Sequence, residues 1–365
     1  MNVTLLVDAL GPRLSGIGRY TWELAKRLPH QHGIDRLNYD THGRFIDDPA
    51  ALIRGDVRRR RNILPRALRR RLARGRLDDS LVHGPNFFLP PEIGSGIVTV
   101  HDLSVFRYPA THPAERLRVF EREFSRSLDR ACHLITDTET VKRELVADFS
   151  VPESTISVVP LGVDERYRPH CEAELRGPLL RWNLTPGGYS LCVSTLEPRK
   201  KIAELLRAWQ DLRASHSNSM PLVLAGAEGW LNEELHEEIR AGVTAGWLRH
   251  LGFVPEDDLP ALYAGAALFL YPSTYEGFGL PPIEAMASGV PVLVANSSCL
   301  PEVCGDAARY IDPDDAPGFR DAMIDALTDE DRRAASRRQG LSQAAKYRWE
   351  ECASKTADIY RQFLS

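Results

Sequence analysis

Two doubly wound, Rossmann-like α/β domains are the architecture this chain predicts, on three observations. At 365 residues it is longer than a single hydrophobic core usually grows, so two domains are the default. Short apolar runs alternate with helical patterns, and the alternation restarts at Ser190 after a polar, proline-containing stretch. Between residues 268 and 294, strand, glycine turn, helix and strand follow closely enough to make a βαβ unit. Ligands of such a unit lie beyond the carboxyl end of its first strand.

The elements follow from local pattern. Apolar runs of strand length fall at residues 3–7, 81–83, 97–101, 133–136 and 156–159. Helical periodicity fills 19–28, 113–130 and 138–149. The amino terminus, Met1-Asn-Val-Thr-Leu-Leu-Val-Asp8, has neither a basic leader nor a cleavage signature, so it reads as the first strand. A linker is expected from Pro160 to Asp164, continuing through Pro169 and polar sequence to Gly188. The second half predicts strands at 190–194, 222–225, 268–271 and 308–311, with helices at 202–215 and 257–264. A further helix opens at Pro281, continues from Ile283 to Ala287 and is capped by Gly289, and Val292 to Val294 starts another strand. The division is then residues 1–168 and 169–348, with a closing helix in 349–365.

Composition sets few limits. A net charge of -4 and 43% hydrophobic residues suit a soluble enzyme and exclude neither acidic nor basic partners. The longest near-apolar stretch, 261–271, is too short to cross a bilayer and carries Tyr263 and Tyr271. Six cysteines without a CxxC pair read mostly as small core residues in a reducing, cytoplasmic setting.

The chemistry concentrates in Glu276-Gly277-Phe278-Gly279-Leu280-Pro-Pro-Ile-Glu284. Gly277 and Gly279 allow close backbone approach, and the amides of Phe278, Gly279 and Leu280 can point at an anion. The helix opening behind them adds the positive end of its dipole. Glu284, placed in the first turn, and Glu276, on the loop, can accept hydrogen bonds from vicinal hydroxyls. Amides for phosphate plus carboxylates for hydroxyls is what a sugar nucleotide requires. Either glutamate alone could equally be a capping or turn residue. Taken whole, the string resembles the E-x7-E signature of the retaining, GT-B-fold glycosyltransferases of family 4, whose bacterial members include mannosyl- and rhamnosyltransferases of surface polysaccharide synthesis. The similarity runs over nearly the whole chain and is strongest from Val193 to Asp312. It implies two domains facing across a cleft, with the last helix crossing back onto the first.

Two further loops bear on that resemblance. Gly11, Gly16 and Gly18 lie between the first strand and the first helix, spaced wrongly for a GxGxxG fingerprint. A plain turn explains them, but the family keeps a comparable loop near the diphosphate, which nominates Gly16 and Gly18. Ser194-Thr-Leu-Glu197-Pro-Arg199-Lys200-Lys201 ends another strand. Positive charge there would offset charge building on a departing diphosphate, and Lys200 is the expected phosphate lysine with Arg199 beside it. Many relatives carry an arginine near Ser194 or Thr195; this chain lacks it. His101-Asp102 ends the strand 97–101. The histidine could touch a sugar hydroxyl or pair structurally with Asp102; the resemblance places a functional histidine here. Thr138 and Glu139 suit helix capping. Val254, after Gly252-Phe253, could hold a base through its backbone.

No His/Cys cluster has zinc spacing, and Asp312-Pro-Asp314-Asp315 has a simple turn explanation, so neither metal nor cofactor is expected. Residues 54–76, from Arg54 to Arg76, are dense in arginine with Asp56 as their single acid. Leu64, Leu68 and Leu72 give part of the segment an amphipathic character. Such a helix can lie on anionic lipid, each basic residue adding about 1 kcal/mol, attract a lipid diphosphate, or form a solvated face. Nucleic acid is disfavoured because no aromatic residue is interleaved. The resulting expectation is a retaining, metal-independent hexosyltransferase, cytoplasmic or peripheral at the inner membrane face. It would carry a sugar from a nucleoside diphosphate, GDP-mannose or a GDP-deoxyhexose by family likeness, to a glycan or polyprenyl-diphosphate-linked acceptor. His101, Glu276 and Lys200 are its expected catalytic residues. A nucleotide-sugar epimerase and a non-catalytic, arginine-rich RNA- or membrane-binding protein are the alternatives.

Overall fold

The computed structural model describes residues 1–56, 77, 79–215 and 220–363. Apart from Arg54, with Gly55 and Asp56, the basic segment lies outside the described residues. The chain forms two compact units. The first comprises Met1–Leu103, Glu115–Gly162 and Arg348–Ser365, and the second Ser104–Ala114 and Val163–Tyr347. The division therefore falls at 162/163 rather than at the expected 168/169, and one stretch from the amino-terminal half belongs to the second unit.

In the first unit the strands are β1 (Asn2–Leu6), β2 (Arg36–Thr41), β3 (Arg44–Ile46), β4 (Leu81–Gly84), β5 (Gly96–Val100), β6 (Ala131–Thr136) and β7 (Ile156–Val158). They form one sheet in the order β3-β2-β1-β4-β5-β6-β7, parallel except for β3 against β2. β5 is buried along its whole length, as expected of a parallel strand covered on both faces. β2 and β3 were not expected. Arg-Leu-Asn-Tyr-Asp-Thr is mostly half-buried, and its apolar signal is too sparse for a strand reading.

The second unit has β8 (Ser190–Val193), β9 (Leu222–Ala225), β10 (Leu248–Gly252), β11 (Leu268–Tyr271), β12 (Val292–Ala295) and β13 (Arg309–Ile311). These make a parallel sheet ordered β10-β9-β8-β11-β12-β13. The order reverses between β8 and β11, and in the first unit between β1 and β4. Loops at the carboxyl ends of strands flanking such a reversal are where open α/β sheets bind ligands. Within the expected linker a helix forms at Glu172–Arg181, hidden from sequence reading by its internal Pro178.

The last helix, Trp349–Arg361, belongs to the first unit, where the Tyr360 hydroxyl lies 2.6 Å from His83 Nδ1 and Arg27 pairs with Glu350 at 2.7 Å. A Cβ at Gly162 would collide with the backbone of Trp349, so the last residue before the crossover has to be glycine. Val163 N–H donates to the Tyr347 carbonyl at 3.1 Å, closing the ends of the second unit on each other.

Candidate active site

The reversal between β8 and β11 brings two loops of the second unit together. After β8 the chain turns through a 3-10 segment, Pro198–Lys200, and Lys201 takes a left-handed conformation (φ 53°) before the helix Ile202–Ser215. After β11 it runs through Ser273 to Gly279 into the helix Leu280–Ala287. The Arg199 carbonyl accepts from the Thr274 amide at 2.9 Å and from its hydroxyl at 3.1 Å, which zips one loop to the other. The Glu276 amide donates to Ser298 Oγ at 2.9 Å and Ser297 Oγ donates to the Ser273 carbonyl at 3.0 Å, anchoring the second loop from behind.

That zipper fixes a buried charge cluster. Lys200 Nζ bonds Glu276 Oε1 and lies 3.1 Å from the Tyr271 hydroxyl. Arg199 reaches Glu276 Oε2 at 3.3 Å, the Tyr275 carbonyl at 2.6 Å and Glu197 Oε1 at 2.8 Å. Two carboxylates and two cations thus compensate one another. Burial works to raise the Glu276 pKa, but Lys200 and then Arg199 outweigh it and hold the group down to about 2. Burial, with Arg199 adding to it, lowers the Lys200 pKa against the pull of Glu276. Burial and then Glu276 push the Tyr271 phenol well above its ordinary range. The site therefore presents a hydrogen-bond acceptor that stays ionised well below the ordinary carboxylate range, next to the Lys200 amine.

Beside it the helix Leu280–Ala287 starts at Gly279 (φ 93°) without a side-chain cap. A Cβ at Gly279 would sit 2.9 Å from Leu300 Cδ2, so conformation and space both call for glycine. Pro281 and Pro282 have no N–H, which leaves Gly279 and Leu280 as the leading backbone donors at the positive helix end. Phe278 is buried, its ring edge-on to Tyr347 at 5.3 Å. Glu284 differs from expectation. The helix begins one residue earlier than Pro281, and its first turn holds no acid, so Glu284 falls in the second turn. There its carboxylate, after burial itself, helps raise the pKa of the fully buried Tyr263 phenol. Val254 is buried beyond β10.

The expected residues of the first unit are placed differently from one another. Gly16 opens the helix Gly16–Arg27, so the glycine stretch is helical sooner than residue 19. The Gly18 amide is taken by Ser15 Oγ at 3.2 Å as an N-cap, and a Cβ there would lie 3.0 Å from the Ala9 carbonyl. Gly18 thus serves packing and capping, and the Gly16 end is where the dipole emerges.

His101 follows β5 and is buried. Its Nδ1 partner is Asp137, beyond β6, at 2.7 Å, while the neighbouring Asp102 of the structural alternative adds charge that favours the imidazolium. Nε2 lies 2.9 Å from the Pro85 carbonyl, which can only accept, so that nitrogen carries a proton. Tyr20 stands edge-on to the imidazole at 4.9 Å. Burial opposes the imidazolium, but Asp137 outweighs it and the His101 pKa is raised; burial also raises Asp137, so the pair holds its proton. His83 nearby is held down to about 3 by burial and then by His101, and stays neutral.

A pH dependence follows from the raised His101 value. The pair's contribution is complete below the ordinary histidine pKa of 6.5 and is lost as pH rises through the raised one. Thermal unfolding between pH 6 and 9 should show wild-type stability declining with pH, while Asp137→Asn starts lower and stays flat. Parallel profiles for the two proteins would contradict the pairing.

Asp137, which holds His101 in the first unit, and Glu197, Tyr271 and Ser298, which hold the Arg199, Lys200 and Glu276 groups in the second, are not among the residues that sequence reasoning nominated. Asp137 and Tyr271 had a legible signal, since each sits at the carboxyl end of an expected strand. Among the described residues no group of three or more His, Cys, Asp or Glu side chains could hold a metal ion, and no helix is long and apolar enough to cross a membrane.

Comparison with known proteins shows the family and the fold. Residues 14–167 match the model of "Glycosyltransferase Family 4" and residues 185–346 that of "Glycosyl transferases group 1". The O-antigen chain mannosyltransferase B of Escherichia coli is 37% identical over 99% of this chain and 100% of its own length. Among solved structures, Anabaena HepE with UDP and glucose superposes with a TM-score of 0.76 at 16% identity, covering 100% of both chains. The sucrose-phosphate synthase of Thermosynechococcus elongatus gives 0.76 at 19%, covering 100% of this chain and 99% of that one. The fold is GT-B, and the chain belongs to the family 4, group 1 glycosyltransferases.

Proposed function

We propose that this enzyme is a retaining mannosyltransferase that carries mannose from GDP-mannose to a hydroxyl of a growing O-antigen-type surface glycan, free or linked to a polyprenyl diphosphate. The observation that carries the reading is the Lys200–Glu276 pair set beside an uncapped helix N-terminus at the strand-order reversal of the second unit. The full-length likeness to a mannosyltransferase of O-antigen synthesis supports the sugar and the acceptor class.

The roles follow from the chemistry of each group. The diphosphate takes the amides of Phe278, Gly279 and Leu280 together with the Lys200 ammonium. It competes with Glu276 for that ammonium, and Glu276 gains hexose hydroxyls in exchange. Glu284 receives the ribose diol, the Val254 backbone the base, and the Gly16 amide a phosphate oxygen. Arg199, held by Glu197, the Tyr275 carbonyl and Glu276, braces Glu276 and adds positive charge beside Lys200 for the diphosphate. His101 serves the transferred sugar by exchanging its Nε2 bond to the Pro85 carbonyl for a sugar hydroxyl, with Asp137 keeping hold of Nδ1. In the reaction the bond from the anomeric carbon to phosphate oxygen breaks as the bond to the acceptor oxygen forms on the same face. The departing phosphate takes the acceptor proton, leaving GDP and a glycoside of unchanged anomeric configuration. Residues 54–76 would attract the anionic acceptor lipid or an anionic membrane from the cytoplasmic side.

A thermal-shift panel of GDP, UDP, dTDP and ADP sugars tests the donor. A ligand at 100 times its dissociation constant stabilises by about 2.7 kcal/mol, so GDP-mannose should stand apart from the rest. No response to any member would reject a nucleotide-sugar enzyme. Sugar interconversion without acceptor would indicate an epimerase.

A further inference from the structure

The stretch Ser104–Ala114 leaves the first unit immediately after Leu103 and belongs wholly to the second. It contains a short helix, Ser104–Arg107, and a 3-10 turn, Pro109–Thr111, and Ser104, Val105 and His112 are buried. Two of its contacts differ in kind. At its far end the Thr111 carbonyl accepts from Trp230 Nε1 at 2.7 Å, with the His112 and Trp230 rings 5.8 Å apart. At its middle the Tyr108 ring packs on Tyr275 at 5.2 Å between centroids.

Those two partners stand on different loops of the candidate site. Tyr275 precedes Glu276, and its carbonyl is the acceptor for the Arg199 guanidinium. Trp230 lies on the loop after β9, which is fastened to the loop carrying Lys200. The Leu196 amide donates to the Ala227 carbonyl at 3.2 Å, and Asn232 Nδ2 donates to the Leu196 carbonyl at 2.8 Å. A Cβ on Gly229 would collide with that same carbonyl. One strap from the amino-terminal half therefore grips the Glu276 loop directly and the Lys200 loop through Trp230.

We propose that Tyr108 is a positioning residue for donor-sugar recognition, holding Tyr275 and through it the Glu276 carboxylate, with the Trp230–Thr111 hydrogen bond keeping the strap in register. This rests on the reading of Glu276 as the residue that binds the donor hexose. The role is specific to the sugar, because the Tyr108 ring packs on the residue just before Glu276, whereas the Lys200 ammonium is also fixed by Tyr271 of its own sheet.

The test compares GDP-mannose with GDP on the full-length enzyme. An aromatic pair contributes about 0.5–1.5 kcal/mol, and 1.4 kcal/mol is tenfold in affinity. Tyr108→Ala should therefore raise KM for GDP-mannose by roughly 2–12-fold while the Kd for GDP stays within about twofold. Tyr108→Phe should restore the wild-type KM. Trp230→Phe, which keeps a ring but loses the donor, should shift KM in the same direction and carries the test should the alanine variant not fold. Unchanged donor KM in Tyr108→Ala, or equal weakening of GDP and GDP-mannose, would overturn the proposal. Glu276→Gln in the same assay separates the two claims. A raised KM there with none in Tyr108→Ala sinks the strap alone, and no change in Glu276→Gln sinks the reading of the site.

Discussion

Lys200→Met should lower kcat with GDP-mannose by about 10²–10³-fold, the usual cost of removing one preorganised group from a site where charge develops. The expectation rests on geometry more than on the lysine's charge. Lys200 Nζ is held by Glu276 and the Tyr271 hydroxyl, with the ring of Tyr271 5.3 Å away, so its position is set before any ligand arrives. Such a group costs no reorganisation when a phosphate–sugar bond breaks. KM for acceptor should change little, because the acceptor does not use the ammonium. Steady-state rates with both substrates varied measure this. A kcat within about threefold of wild type would mean that the diphosphate charge is met elsewhere.

The second large effect is on stability. Glu197, Arg199, Lys200 and Glu276 are balanced as they stand. Removing Lys200 alone leaves the cluster one negative charge in excess, and removing Glu276 alone leaves it one positive. Breaking a buried pair from one side costs about 3–5 kcal/mol, because the survivor remains desolvated. Lys200→Met and Glu276→Leu should each lose about that much in the unfolding of the second unit. The double variant keeps Glu197 against Arg199 and should recover most of the loss, since an apolar pair often replaces a buried ion pair at little cost. Urea unfolding of all four proteins closes the cycle. Additive losses would show that the two groups are not coupled.

The same cluster predicts acid behaviour. The Glu276 pKa is depressed from 4.5 to about 2, so its contribution is complete above 4.5 and disappears as pH falls through about 2. Lys200→Met removes the larger of the two favourable charges, and loss should then begin at higher pH.

Much of this site can be read from the order of residues alone. Glu276, Gly279 and Lys200 are legible because each sits just past an apolar run of strand length, where an α/β fold presents its ligands. β2 is not legible, since a half-buried strand of mixed polarity carries neither an alternating nor a continuous apolar signal. Arg199 is legible as a positive charge past a strand end with Glu197 two residues before it, but its other carboxylate partner, Glu276, stands 77 residues further along the chain. His101 was open between sugar and structural roles with Asp102 as its expected partner. The actual partner stands at the end of the neighbouring strand, where the β5–β6 register puts it.

By itself the sequence determined the two α/β halves, the loops at the strand ends and the residue types that match a sugar nucleotide. These are local properties, written in short-range periodicity and in glycine and proline placement. Only the tertiary structure decided which charges meet, that Gly18 is a capped packing position, and that residues 104–114 serve the unit their sequence position would not assign them to. The Lys200–Glu276 and His101–Asp137 pairs and the strap depend on strand order and on contacts between residues far apart in the chain, which no short window of sequence contains. The Ser15 cap on Gly18 and the Glu197–Arg199 pair, in contrast, are local contacts whose geometry the fold sets.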